Sequence, residues 1–218
     1  MYFASRMQAG RMLASQIVKK YRYENCAVVA LDDGGVMVGA QIAIELHCVL
    51  MMLLSAEITL PREPDAVAGI TMEGSMTYNH QYYQGELDEL TGEYRNYIDQ
   101  ERMRSMHDLN QLVSDRGVID KNLLKGHNVI LVSEGFKNGF LLDLAKEFMK
   151  TTAIDKLIVA TPLASVRAVD IMHISADEIY CLNVVEDYIS TDHYYDQHDV
   201  PDHSKAIDMI EKNILLWK

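Results

Sequence analysis

Residues 128–148, NVILVSEGFKNGFLLDLAKEF, constrain the fold more than any other stretch of the chain. An apolar run of strand length, Val129–Val132, passes into a short polar loop holding Gly135 and Gly139, and then into a run with helical spacing. A strand feeding a helix through such a loop is the repeating unit of parallel α/β sheets. In these proteins the loop often holds a phosphate against the helix N-terminus, where unsatisfied amides and the helix dipole meet. Here Phe136 and Leu141 stand where a phosphate cradle would want small residues and hydroxyls. The fold signal is clear, and the chemistry it usually carries is open.

The same unit recurs along the chain. Residues 2–20 place Phe3, Met7, Leu13, Ile17 and Val18 near helical spacing. CAVVAL (26–31) reads as a buried strand, Asp32-Asp33-Gly34-Gly35 as a turn, residues 36–47 as a helix and 48–54 as a second buried strand. Pro61 and Pro64 punctuate the chain, and residues 66–72 and 75–83 are predicted to pair as a hairpin around Glu73-Gly74. A long polar helix follows, with Leu87, Leu90, Tyr94, Tyr97, Ile98, Met103, Met106, Leu109 and Val113 near one face and Gly92 placed to break its start. Further strands are predicted at 129–132, 157–160 and 178–184, with helices to about Met149, over 164–173 and from Pro201 to Trp217. The expected architecture is α/β, a mostly parallel central sheet flanked by helices. One domain, residues 1–218, carries an inserted hairpin–helix arm at about 66–115.

Charge and composition narrow the function classes. A net charge of −12 argues against a nucleic-acid partner, because such binders present basic patches to the phosphate backbone. The longest apolar run, Cys48–Leu54, is too short to span a bilayer, and MYFASRMQAGRML lacks the layout of a signal peptide. A cytoplasmic location is expected. Cys26, Cys48 and Cys181 lie far apart in apolar settings and read as buried small hydrophobes. His193, His198 and His203 recur at a spacing that suits neither a helix face nor a strand face, so no metal site is assigned. Asp32-Asp33-Gly34-Gly35 lacks the further acids of a calcium loop and reads as a capped turn. Met51, Met52, Met103 and Met106 read as core filling. Ser133 and Ser165 have no base in a recognisable hydrolase pattern.

Several segments together resemble the type I phosphoribosyltransferases, a broad bacterial group of them in particular. Arg6, Ala9-Gly10 and Leu13-Ala14 are similar to that group's opening R-x-x-A-G-x-x-L-A helix. Gly34-Gly35-Val36 resembles the end of its P-R-G-G-V loop. Glu57-Ile58-Thr59-Leu60-Pro61 and Pro64–Gly69 resemble its K-I-x-x-P and P-E-x-A-I-G segments. Val129–Val132 and the following loop resemble V-I-L-V-D-D-G-x-A-T-G-A-T. Ala160–Ala164 resembles A-V-P-V-A, and Tyr194–Asp202 resembles the closing W-Y-x-D-F. The resemblance implies the Rossmann-like type I phosphoribosyltransferase fold and a homodimer. It also implies transfer of ribose 5-phosphate from phosphoribosyl pyrophosphate to a nucleophile such as a nucleobase nitrogen, with magnesium holding the donor.

The resemblance also sets the candidate ligand-binding residues: Asp33, Gly34, Gly35, Glu57, Ser133, Glu134, Gly135, Lys137, Asn138 and Gly139. Ser133 and Glu134 replace the adjacent acids that accept from the ribose hydroxyls, leaving Glu134 as the remnant catalytic candidate. Lys137, Asn138, Gly139, Phe140 and Leu141 replace the hydroxyl-lined phosphate turn; one lost hydrogen bond there costs roughly 1–3 kcal/mol. Asp32-Asp33 replaces Pro-Arg, and Glu57 replaces a lysine. Each reversal sets like charge against a pyrophosphate, about 1 kcal/mol at 4 Å in water and about 4 at a partly buried site. Two readings follow. The first is a non-catalytic protein with a degenerate donor site that binds a protein partner or a small ligand. The second is an active transferase, and only it requires magnesium.

Overall fold

A computed structural model describes residues 2–114, 119–213 and 215. Five parallel strands form the central sheet in the order β2-β1-β6-β7-β8: β1 (Cys26–Ala30), β2 (Val49–Met52), β6 (Asn128–Val132), β7 (Lys156–Ser165) and β8 (Glu178–Val185). Every residue of β1 and β6 is buried, as strands covered on both faces require. Helices α1 (Arg6–Tyr21), α2 (Asp33–Leu46) and α7 (His203–Asn213) cover one face, where Leu13, Ile17, Val38, Ile42 and Ala206 meet Val28 and Ile130. Helices α5 (Phe140–Met149) and α6 (Val166–Ser175) cover the other, where Leu142, Phe148 and Met172 meet Leu131 and Val159. From β1 the chain moves outward to β2, then returns to the far side of β1 as β6. That reversal makes a crevice beyond the carboxyl ends of β1 and β6, the place where open α/β sheets bind ligands.

A second sheet of three antiparallel strands, in the order β3-β4-β5, closes over this end: β3 (Ser55–Ile58), β4 (Ala68–Thr71) and β5 (Met76–Tyr78). β4 and β5 form the predicted hairpin, turning through Gly74 at φ 81°. β3 departs from expectation: the apolar run expected as one strand over 48–54 ends at Met52, and the chain re-enters extended structure at Ser55 in the other sheet. Polar side chains on β3 hide it from an apolarity search. The long helix is two, α3 (Gln84–Glu93) and α4 (Arg95–Ser114), divided at Tyr94 rather than Gly92. Packing places the break, because Tyr94 and Ile98 seat against Ile58, Val67 and Ala68. Met103 is 74% exposed, contrary to its expected place in the core. The side chain of Val113 and the expected helical residue Trp217 lie outside the described residues. α2 begins earlier than expected, at Asp33, because the Asp32 carboxylate caps it by accepting from the Gly35 amide. Among the described residues no helix is long and apolar enough to cross a membrane.

The small sheet is anchored to the main body by Phe140, which is fully buried with Ala66 and Leu144. Gly69 lets β4 approach this pair; a side chain there would meet Leu144 at 2.7 Å and Phe140 at 3.1 Å. Replacing Phe140 with Ala is expected to cost about 3–5 kcal/mol of stability, read as a lower urea midpoint; a loss under 1 kcal/mol would show that the sheet is held elsewhere.

Candidate functional site

The crevice is built from the residues that leave β1 and β6. Asp32 follows β1, and its carboxylate accepts from the Gly35 amide and lies 3.4 Å from the Glu134 amide. The Gly35 amide is one that an anion at the N-terminus of α2 would use, so a carboxylate of the chain already sits in that position. Burial, with help from Asp33, raises the Asp32 pKa, against hydrogen bonds from Ser133, Gly35 and Glu134. Asp33 turns aside and pairs with Nδ1 of His203 at 3.0 Å. Gly34 and Gly35 are buried in the first turn of α2. A side chain at Gly34 would run into the Glu134 carboxylate, and one at Gly35 would meet the Val132 carbonyl at 2.8 Å.

Glu134 is held by a residue that sequence reasoning did not select. Arg6, at the start of α1, has a fully buried side chain. Its Nε donates to Glu134, its Nη2 to Asp192, and its Nη1 to Asp199 at 2.9 Å and to the Gln197 carbonyl at 3.2 Å. The guanidinium lies 4.4 Å from the Tyr195 ring centre, and the Tyr195 hydroxyl donates to the Glu134 carbonyl at 2.7 Å. Phe3 forms a β-bridge with Tyr195, and its amide lies 2.9 Å from the Tyr194 carbonyl. The opening and closing segments of the chain are thus knit around the loop after β6. The sequence held a signal for this: Arg6 and the 194–202 segment each match a family motif, but as separate patterns with nothing to join them.

One cation here faces three paired carboxylates with Asp32 close by, so the cluster is short of positive charge. Burial, Asp32 and Asp192 push the Glu134 carboxyl up to about 7 against the pull of Arg6. Burial works against the Arg6 cation, but Glu134, Asp192 and Asp199 outweigh it and hold its pKa above the ordinary value.

The loop after β6 is also internally satisfied. The fully buried Ser133 turns its hydroxyl onto Gly135, donating to the carbonyl at 3.0 Å and accepting from the amide at 3.2 Å. Phe136 bridges to β7, its amide donating to the Leu163 carbonyl at 3.0 Å. Lys137 donates to Asp65 at 3.0 Å and to the Pro64 carbonyl at 3.2 Å. The Asn138 amide group donates to the same Asp65 carboxylate at 3.2 Å, and its oxygen accepts from the Phe140 amide at 3.1 Å, which caps α5. Gly139 is required by packing, since a side chain there would overlap Ile171. Phe136 and Phe140 are buried core residues, and Phe136 also borders the cavity between this loop and the small sheet.

A cavity of about 180 Å³ remains between this loop and the small sheet, lined by Glu57, Thr59, Asp65, Lys137, Asn138 and Leu141 among others. Crowding in the cleft and Asp65 raise the Glu57 carboxyl, with Lys137 opposing. The candidate residues thus fall into two adjoining groups. Gly34, Gly35, Ser133 and Glu134 gather beside Asp32, with Glu134 reaching Arg6 and Asp33 turned to His203, whereas Glu57, Lys137 and Asn138 gather around Asp65 and Gly139 packs on Ile171. Gly135 borders the Asp65 cavity and follows directly on Glu134.

Magnesium, which the resemblance implies for an active transferase, needs oxygens free to coordinate it. Glu134 is held by Arg6, Asp33 by His203, and Asp32 by the Gly35 amide of α2. Among the described residues no three His, Cys, Asp or Glu side chains converge as ligands. Each of these three carboxylates is engaged within the chain, and no step is assigned to a magnesium ion.

Replacing Arg6 with Met leaves the largely buried Glu134 and Asp199 without a cation, which is expected to cost about 3–5 kcal/mol in urea unfolding at neutral pH. Glu134 binds its proton more tightly in the folded chain than its ordinary value of 4.5 would allow. Its contribution to stability is therefore fully present below that value and lost as pH rises through about 7. Glu134→Gln is expected to flatten the stability profile across this window; an unchanged slope would assign the titration to another group.

Comparison with known proteins follows the same architecture. The profile described as phosphoribosyl transferase domain matches residues 3–197. No curated protein matches the chain. Among solved structures, TT1426 from Thermus thermophilus superposes with a TM-score of 0.71 at 22% identity, covering 100% of both chains. A hypoxanthine phosphoribosyltransferase from Staphylococcus aureus gives 0.49 at 13% identity, over 86% of this chain and 78% of that one. A purine phosphoribosyltransferase from Pyrococcus horikoshii gives 0.46 at 11%, over 88% of each. With the profile spanning from the β-bridge at Phe3 to the Arg6 contact at Gln197, this chain belongs to the phosphoribosyl transferase domain family.

Proposed function

We propose that this chain keeps the phosphoribosyltransferase fold without the transfer reaction, and that it binds a protein partner or a small ligand in its place. The observation that carries this reading is that the chain's own carboxylates stand where a phosphorylated donor would place its charge. Asp65 takes Lys137 and Asn138 in the phosphate loop, and Asp32 takes the Gly35 amide. Glu134, the acid expected on the ribose, is engaged by Arg6. A donor would have to open these contacts while meeting Asp32 and Glu57 as like charges. The cytoplasmic location expected from the sequence and the homodimer implied by the resemblance belong to the same reading.

A second reading, an active magnesium-dependent transferase with an acceptor such as a nucleobase, draws on one feature. The cavity beside Lys137 and the N-terminus of α5 keep room at the place of a 5′-phosphate. Thermal unfolding separates the two readings. A donor at 100 times its Kd would add about 2.7 kcal/mol, or roughly 5–10 °C for a chain of this size. The first reading expects no shift with phosphoribosyl pyrophosphate and magnesium. It also expects Asp65→Ala, which frees Lys137, to gain a shift with ribose 5-phosphate. A full shift in the unaltered chain would overturn the first reading and support the second.

A further inference from the structure

At the end of the main sheet away from the crevice, β1 and β2 start side by side, each at a cysteine. Cys26 is the first residue of β1. Cys48 immediately precedes β2 and follows the left-handed cap of α2 at His47, φ 53°. The strands run parallel with Ala27 opposite Val49 and Val28 opposite Leu50, so one step back Cys26 stands beside Cys48. Side chains alternate between the two faces of a strand. Cys26 shares its face with Val28 and Ala30, and Cys48 shares its own with Leu50 and Met52; all six lie in the core beneath α1 and α2. The two thiols therefore leave neighbouring strands toward the same side. They are 5% and 7% exposed, and both are free. The third cysteine, Cys181, is on β8 at the opposite edge of the sheet.

Neighbouring strands lie about 4.7–4.9 Å apart, inside the roughly 4.4–6.8 Å that separates the Cα atoms of a disulfide. The sulfurs must draw closer than the strands do. That adjustment falls on Cys48, which lies outside the ladder. Burial and then Cys26 itself push the Cys48 thiol up to about 12, and burial and then Glu24 push the Cys26 thiol up to about 11. Each thiol is thus kept protonated and slow to react, and the pair stays reduced until an oxidant is supplied. We propose that Cys26 and Cys48 form a redox pair that a hydroperoxide closes into a disulfide. The fraction of one thiol present as thiolate attacks a peroxide oxygen, the O–O bond breaks, and water departs with a sulfenic acid left on that sulfur. The second sulfur displaces the hydroxyl as another water, and the S–S bond forms. The two thiols lose two electrons and two protons, and the peroxide is reduced to two waters. The bond closes residues 26–48 into a loop that carries β1, Asp32 and α2, and so ties down the segment that floors the crevice. It forms whichever reading of the donor site is correct.

Peptide mapping of the full chain after treatment with hydrogen peroxide tests the pair, with free thiols alkylated in denaturant before digestion. The peptides that carry Cys26 and Cys48 are expected to be joined to each other, with Cys181 alkylated. Closing the loop is expected to raise the melting temperature by roughly 5–10 °C, and dithiothreitol to reverse the gain. Cys48→Ala is expected to lose this gain and Cys181→Ala to keep it. The mapping needs no variant, so it decides the matter even where Cys48→Ala fails to fold. Cys26 and Cys48 both alkylated after peroxide, either of them joined to Cys181 or to a second chain, or sulfinic acid formed with no bond, would overturn the proposal.

Discussion

A buried guanidinium is tolerable only when every face of it is answered, and Arg6 is answered from two separate parts of the chain. Glu134 comes from the loop after β6, Asp192 and Asp199 from the segment after β8, and the Tyr195 ring stacks beneath. Desolvating this charge is costly and is offset only while all these partners stay in place. The cluster therefore fixes the first helix, the closing segment and the crevice floor to one another. Anything that requires Glu134 to move, a ribose included, must also disturb the join between the two ends of the domain.

The same principle extends along the crevice. A phosphorylated donor is recognised by cations, amides and hydroxyls arranged around unfilled space. In this chain those groups are present in part, but Asp32, Asp65 and Arg6 have already matched them. The crevice is electrostatically closed more than it is sterically filled. Of the two residues standing where a phosphate cradle wants small groups, Phe136 is packed into the core while Leu141 lines the cavity, and Phe140 fills the core on the other side.

Much of the fold was legible because it rests on apolar periodicity, which a single sequence displays. The five strands of the main sheet, their order of appearance and the β4–β5 hairpin all follow from runs such as CAVVAL and VILV. The failures have physical causes. β3 is polar on its exposed side, the break at Tyr94 is set by packing on Ile58 and Val67, and Met103 sits on an exposed face of an otherwise amphipathic helix. At the site, the loss of the donor-binding residue types was visible position by position. The internal pairings made there were not, since Arg6 lies 128 residues from Glu134 and Lys137 lies 72 from Asp65. Pairings over such separations are properties of the fold.

The most direct measurement is a crystal structure of the chain grown with phosphoribosyl pyrophosphate and magnesium at millimolar concentration. The account predicts a crevice free of donor, with Arg6 on Glu134 and Lys137 on Asp65. A donor bound with its 5′-phosphate on Lys137, its ribose on Glu134 and both internal pairs opened would contradict it.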